Sequence, residues 1–274
     1  MVNMFFDKIK SLFEKKLSPK IYRINSENYG LHYGQVSKKK HIKRILFSVD
    51  LSLESIHYAI KNKINLIISL YGLTNEPITN FNQLLINKLT LLSKYPTLVF
   101  VLGSPFIAAE GGISETIMES LYLKLDKPFN IENDKGEIVP IGRICLPNLY
   151  TRTKMALNLD NLLNRIKSNL QIEKISFVGE SSAEINKICI VGGEITDLNY
   201  LRKALTHGCD CYLSGNMNHN FADYARESGL NLIQIPLYNY QTIALRKLYN
   251  FLSLEFPHDE FYFYDTKNPI KIHN

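Results

Sequence analysis

A chain of 274 residues with 45% hydrophobic and 21% charged side chains can bury a full core, and that balance excludes a disordered or low-complexity protein. A net charge of +6, with no single face obviously loaded, argues for a solvated surface over a dedicated nucleic-acid face. Four cysteines (Cys145, Cys189, Cys209 and Cys211), no visible secretory signal and no run near the roughly 18 apolar residues of a membrane span predict a cytoplasmic protein with free thiols and no membrane partner.

The opening MVNMFFDKIKSLFEKKL sets Phe5, Ile9, Leu12 and Phe13 on one face of an amphipathic helix, which predicts packing on the body of the protein. Residues 19–29 read as an irregular lead-in. Gly30 and Gly34 suggest backbone bends around a buried Leu31. Residues 37–44 (SKKKHIKR) form a charge run, better read as a solvated loop than as a nucleic-acid contact.

The organising stretch is 44–75. Residues 45–49 and 64–70 are apolar runs rich in strand formers. Between them Leu53, Ile56, Ala59 and Ile60 repeat at helical spacing, with Ser52 able to cap the helix start. Strand, helix, strand in one sheet is a parallel crossover, and ligands of such sheets bind beyond the strands' carboxyl ends. The residues there are Asp50, Leu70, Tyr71 and Gly72.

Leu84, Leu85, Leu89 and Leu92 predict a further helix, stopped by Pro96, and 97–102 a buried strand. Residues 103–112 read as a loop, Ile113, Ile117 and Leu121 as a helix, and 128–136 as a polar, turn-rich boundary. Residues 138–146 read as a strand pair turning at Gly142-Arg143. An amphipathic helix follows through Leu159, Leu162, Leu163, Ile166 and Leu170, then a strand over 172–178. Residues 188–214 echo the first crossover in element order. A helix over 218–228, a strand over 231–235, a helix over about 241–254 and a strand over 261–264 complete the chain. The expected architecture is α/β: two similar, intertwined halves with mixed sheets flanked by helices, divided as 1–128 and 129–274, or one intertwined domain over 1–260.

Seven segments together resemble one family: Asn28-Tyr29-Gly30-Leu31-His32-Tyr33-Gly34; Val49-Asp50 with 65–69 (NLIIS); 108–115 (AAEGGISE); Ile141-Gly142-Arg143-Ile144; 188–193 (ICIVGG); 208–215 (GCDCYLSG); and 236–241 (PLYNYQ). In this order and spacing the chain resembles the Nif-three-like family of hexameric dinuclear-metal proteins, also labelled GTP cyclohydrolase I type 2-like. The resemblance implies a homo-oligomer, a hexameric ring, and two divalent ions that activate a bridging water for hydrolysis.

The resemblance also places the metal ligands. The paired histidines fall on Leu70 and Tyr71, the next histidine and aspartate near Gly103 and on Ile107, and the last histidine and glutamate on Leu237 and Gln241. None of these is a good ligand, so the expected cofactor is none. The expected pocket is Leu70, Tyr71, Ile107, Leu237 and Gln241, with Asp50 and His219 nearby and Phe106 and Tyr238 beside them. Catalytic residues are unassigned. The predicted function is a binding or scaffold protein taking a small molecule or a protein partner. An alternative is a metal-dependent or residual hydrolase of a nucleotide or phosphoester using Asp50, His32 and His219, and a third is nucleic-acid binding through residues 38–44.

Other signals are weaker. Cys209 and Cys211 alternate on a predicted strand and read as core. Residues 216–220 follow a predicted strand and open a helix, where backbone N–H groups could hold an anion. Gly192-Gly193-Glu194 lacks the rest of a dinucleotide pattern, and there is no Walker or GxSxG motif.

Overall fold

The computed structural model describes residues 6–24, 29–36, 41–74, 78–133, 135–148 and 156–271. Among them the chain runs α1 (Phe6–Leu17), α2 (Pro19–Tyr22), β1 (Gly30–Tyr33), β2 (Arg44–Ser48), α3 (Leu53–Lys61), β3 (Leu66–Ser69), α4 (Gln83–Leu92) and β4 (Leu98–Val101). It continues through α5 (Gly103–Ala108), α6 (Ile113–Ser120), β5 (Leu123–Glu132), β6 (Ile138–Pro147), α7 (Leu159–Leu170), β7 (Ser176–Val178) and β8 (Ile188–Val191). The last elements are α8 (Asn199–Thr206), β9 (Cys211–Ser214), α9 (His219–Ser228), β10 (Asn231–Gln234), α10 (Leu237–Glu255) and β11 (Glu260–Tyr264).

These elements form the expected mixed sheets flanked by helices. A five-stranded sheet has the order β1-β4-β3-β2-β11, parallel except for β1. A six-stranded sheet has the order β5-β6-β8-β9-β10-β7, with β8, β9 and β10 parallel and the other pairs antiparallel. The chain divides into two compact units, one drawn from 1–20, 26–106 and 244–274, the other from 21–25 and 107–243.

The chain enters the second unit briefly over 21–25, passes into it again after Phe106 and returns to the first unit at Ala244. The polar segment over 128–136 marks a hairpin. β5 and β6 pair antiparallel over ten residues each, and the Gly136 N–H donates to the Asn133 carbonyl in the turn. Gly142-Arg143 is not a turn but lies inside β6, where Gly142 lets the chain pack against Ile190 of β8. The expected loop after β4 begins with helix α5, and the strand expected over 172–178 is only Ser176–Val178.

In the first unit the sheet is covered on both faces, which is why β2, β3 and β4 read as continuous apolar runs. One face packs Leu46, Ile67, Val99 and Val101 against Ile56 and Ala59 of α3 and Leu92 of α4. On the other, Phe100 meets Phe6 and Phe13 of α1 and the ring of Tyr29 at centroid distances of 6.0, 5.2 and 5.3 Å. Helix α1 buries Phe6, Ile9, Phe13 and Leu17, a stripe at steps of three and four residues. The expected face is thus rotated slightly: Leu12 is half-buried, and Phe5 lies outside the described residues. Leu31 is exposed, because β1 is an edge strand and turns that side chain outward.

Replacing Phe100 by Ala removes a ring that is 1% exposed and touches three others. Urea unfolding should show a loss of about 3–5 kcal/mol. A loss below about 1 kcal/mol would show that α1 does not pack on this face.

Candidate functional site

Buried hydroxyls close the strand ends in the first unit. Ser48 Oγ donates to the Asp50 carbonyl at 2.8 Å, and Ser69 Oγ lies 2.8 Å from the Tyr71 carbonyl and 3.3 Å from that of Val49. The N–H groups of Leu70 and Tyr71 both donate to the Val49 carbonyl at 3.2 Å. Asp50 turns the chain into α3: its Oδ1 accepts from the Ser52 N–H at 3.2 Å and its Oδ2 from Thr266 Oγ1 at 3.1 Å. Ser52 caps α3 as expected, accepting from the Ser55 N–H at 3.1 Å.

Beyond these strand ends, wholly within the first unit, lies a cleft of about 630 Å³. Asp50, Ser52, Asn82 and Lys88 supply its polar wall, and Tyr71, Ile78 and Leu84 are apolar at its edge. Asn82 caps α4 by accepting from the Leu85 N–H at 2.9 Å. Lys88 Nζ donates to the Leu73 carbonyl at 3.2 Å. Burial pushes the Lys88 ammonium pKa down, and attraction to the Asp50 carboxylate opposes that shift. The leucine pattern of α4 gives no sign of Lys88 or Asn82, and it mixes the buried Leu85 and Leu92 with Leu84, which is exposed at the cleft.

In the second unit a different set of side chains holds the corresponding backbone. Ser114 Oγ donates to the Ile141 carbonyl and accepts from the Gly192 N–H, both at 2.9 Å. A Cβ on Gly192 would come within 2.6 Å of Ile113 Cγ2, so only glycine permits this approach. The buried Arg143 guanidinium donates to the carbonyls of Ala108 (3.0 Å), Ala109 (3.2 Å), Gly142 (3.0 Å) and Pro140 (3.3 Å). Glu115, 3.9 Å from Arg143, accepts from the Gly111 N–H. Asn216 pins the segment after β8, accepting from the Ile195 N–H at 2.6 Å and donating to its carbonyl at 3.0 Å.

The sequence profile of Duf34/NIF3 (NGG1p interacting factor 3) matches residues 4–269. The chain belongs to the Duf34/NIF3 family. It is 24% identical over 241 residues to a GTP cyclohydrolase 1 type 2 homolog of Methanocaldococcus jannaschii, covering 88% of this chain and 92% of that protein. Among solved structures, reduced HcgD from Methanocaldococcus jannaschii superposes with a TM-score of 0.78 at 22% identity, covering 97% of this chain and 99% of that one. A Bacillus cereus protein related to NIF3 superposes with a TM-score of 0.82 at 15% identity, covering both chains completely. These last two likenesses establish the α/β NIF3 fold.

Within that fold the predicted pocket residues have distinct surroundings. Leu70 is buried at the end of β3, while the Tyr71 ring is partly exposed at the edge of the cleft. Phe106 is buried in the first unit. In the second, Ile107 packs on the core beside Gly193. Leu237 opens α10 and covers Gly215 so closely that a Cβ there would collide with it. Gln241 is buried and Tyr238 half-buried. His219 begins α9 as an exposed side chain behind its cap Asn218, which already accepts from the Phe221 N–H at 2.9 Å. His32 sets its ring beside Gly72.

Leu70, Gly103, Ile107 and Leu237 bring no metal-binding side chain, and Gln241 is neutral, so the residues at the expected ligand positions do not fit a pair of divalent ions. Among the described residues no three His, Cys, Asp or Glu side chains gather as a set able to hold a metal ion. The four cysteines are buried free thiols. β9 starts at Cys211, so Cys209 precedes the strand instead of alternating along it. Burial raises the Cys145 thiol to about 12 and also raises that of Cys211, whereas a hydrogen bond with Cys189 lowers that of Cys209. Residues 37–40 of the basic run lie outside the described residues. Among the described residues no helix is long and apolar enough to cross a membrane.

Arg143→Met should test the buried tie in the second unit. It strips donors from four carbonyls and leaves Glu115 without its cation, so a loss of about 3–5 kcal/mol is expected in urea. Unchanged stability would mean that the guanidinium is replaceable by water.

Proposed function

We propose that this Duf34/NIF3 protein works without a dinuclear metal centre, as a binding or scaffold protein assembled as a homo-oligomeric ring. The observation that carries the reading is the chemistry of the expected ligand positions. Apolar Leu70, Ile107 and Leu237, together with Gly103, stand where imidazole and carboxylate donors are needed, and the neutral Gln241 stands in place of a carboxylate. Tyr71 is a poor substitute for a paired histidine. Meanwhile the residues that shape the backbone are kept: Gly192 and Gly215 sit where a side chain would clash. Such a pattern preserves a scaffold and replaces its donors. Apolar and aromatic side chains at such positions suit a small organic molecule or a partner's side chain better than a metal-bound phosphate.

The M. jannaschii relative carries the name of a GTP cyclohydrolase 1 type 2 homolog. A hydrolytic reading for this chain would depend on Asp50, His32 and His219. Asp50 supports it only as an acceptor, since each carboxylate oxygen takes one bond, from the Ser52 N–H and from Thr266 Oγ1, and these bonds shape the turn into α3.

The test is a turnover panel of GTP and related phosphoesters, with and without added Mn²⁺ or Zn²⁺, run alongside light scattering. The expected result is no turnover and a molar mass several-fold above the 31.5 kDa chain. Turnover that disappears in His219→Ala but survives in a surface control contradicts the non-catalytic reading, and a monomer contradicts the ring.

A further inference from the structure

The cleft of the first unit has a charge arrangement that the family reading does not use. Among the described lining residues, Asp50 and Lys88 alone are charged, and no ion pair joins them. Each has bonding capacity left. Lys88 spends one of three N–H donors on Leu73, and each Asp50 oxygen accepts one bond and keeps a second lone pair. A single anion in the cleft would satisfy Lys88 but be repelled by Asp50. A single cation would meet the reverse penalty. An occupant that carries both charges, arranged head to tail, compensates both.

The remaining walls narrow the choice further. Helices α3 and α4 both start at the cleft, at their caps Ser52 and Asn82, which favours negative charge nearby. The Tyr71 ring, Ile78 and Leu84 offer an apolar seat; Ile78 and Leu84 are each 54% exposed as the chain stands. The volume of about 630 Å³ lies within the range of roughly 300–1,000 Å³ for small-molecule sites.

We infer that this cleft binds a small zwitterion of the α-amino-acid type with an apolar or aromatic body, its ammonium on Asp50, its carboxylate on Lys88 and its body against Tyr71, Ile78 and Leu84. The site belongs to one unit, and it stands whether or not the protein holds metal.

Isothermal titration with L-phenylalanine and L-leucine tests it on the full chain. N-acetyl-L-phenylalanine serves as the matched anion, L-phenylalanine amide as the matched cation, and inorganic phosphate as a plain anion. The expected result is saturable binding of at least one amino acid, with both single-charge analogues weaker by about tenfold or more. Lys88→Met should raise the Kd of the amino acid about tenfold and abolish its advantage over the amide. Asp50→Asn should abolish its advantage over the N-acetyl compound. Because Asp50 also shapes the turn, Lys88→Met is the decisive variant should Asp50→Asn fail to fold. The proposal is overturned by equal or tighter binding of phosphate or of the N-acetyl compound, by affinity unchanged in Lys88→Met, or by no binding of either amino acid up to about 10 mM.

Discussion

Buried serine hydroxyls hold the places where the strands stop. Ser48, Ser69, Ser114 and Ser214 are each at most 1% exposed, and each bonds to backbone or to an asparagine side chain beyond or beside a strand. The constraint behind this is general. Sheets covered on both faces have apolar interiors, so backbone that leaves the ladder must find partners at once or lose the desolvation energy of each orphaned group. A serine at a strand end satisfies that need within one or two residues. Here it fixes the turns at Asp50, Tyr71 and Asn216, and those turns set what the strand ends present.

The backbone and the chemistry at these ends are separable. In the second unit, the Gly192 turn, the Ser114 bridge and the Arg143 clamp are sterically and electrostatically tight, and a small change at any of them costs folding energy. The positions expected to ligate metal are not bound by the same demand. Leu70 is buried at the end of β3, and Leu237 lies directly over Gly215. The shape of the strand ends thus rests on glycines, serines and one buried arginine.

Much of the scaffold was legible from the sequence for physical reasons. The Ser52 cap, the Ile56 and Ala59 helix face and the flanking apolar runs each carry a local signal, and the crossover they spell out is present. The second crossover, from β8 through α8 to β9, was legible by the same pattern. Non-local pairing was not. Nothing near Phe261 indicates that β11 joins β2 across more than 200 residues, and that pairing is what carries the end of the chain back to the first unit. The polar stretch around Asn133 signalled a turn correctly, but a hairpin tip and a domain boundary share that composition. Leu31 is exposed, against the expectation from its apolar character, because β1 lies at the sheet edge. At the candidate site, Asp50 and Tyr71 were legible from their place at strand ends, while Lys88 emerged only once α4 was packed beside them.

The proposed function holds that this chain keeps the Duf34/NIF3 scaffold without a dinuclear metal centre. Metal content tests it most directly. The protein would be produced in medium supplemented with manganese, iron and zinc, dialysed extensively, and analysed for bound elements per chain. The account predicts well under one divalent ion per chain; close to two per chain, persisting through dialysis, would contradict it.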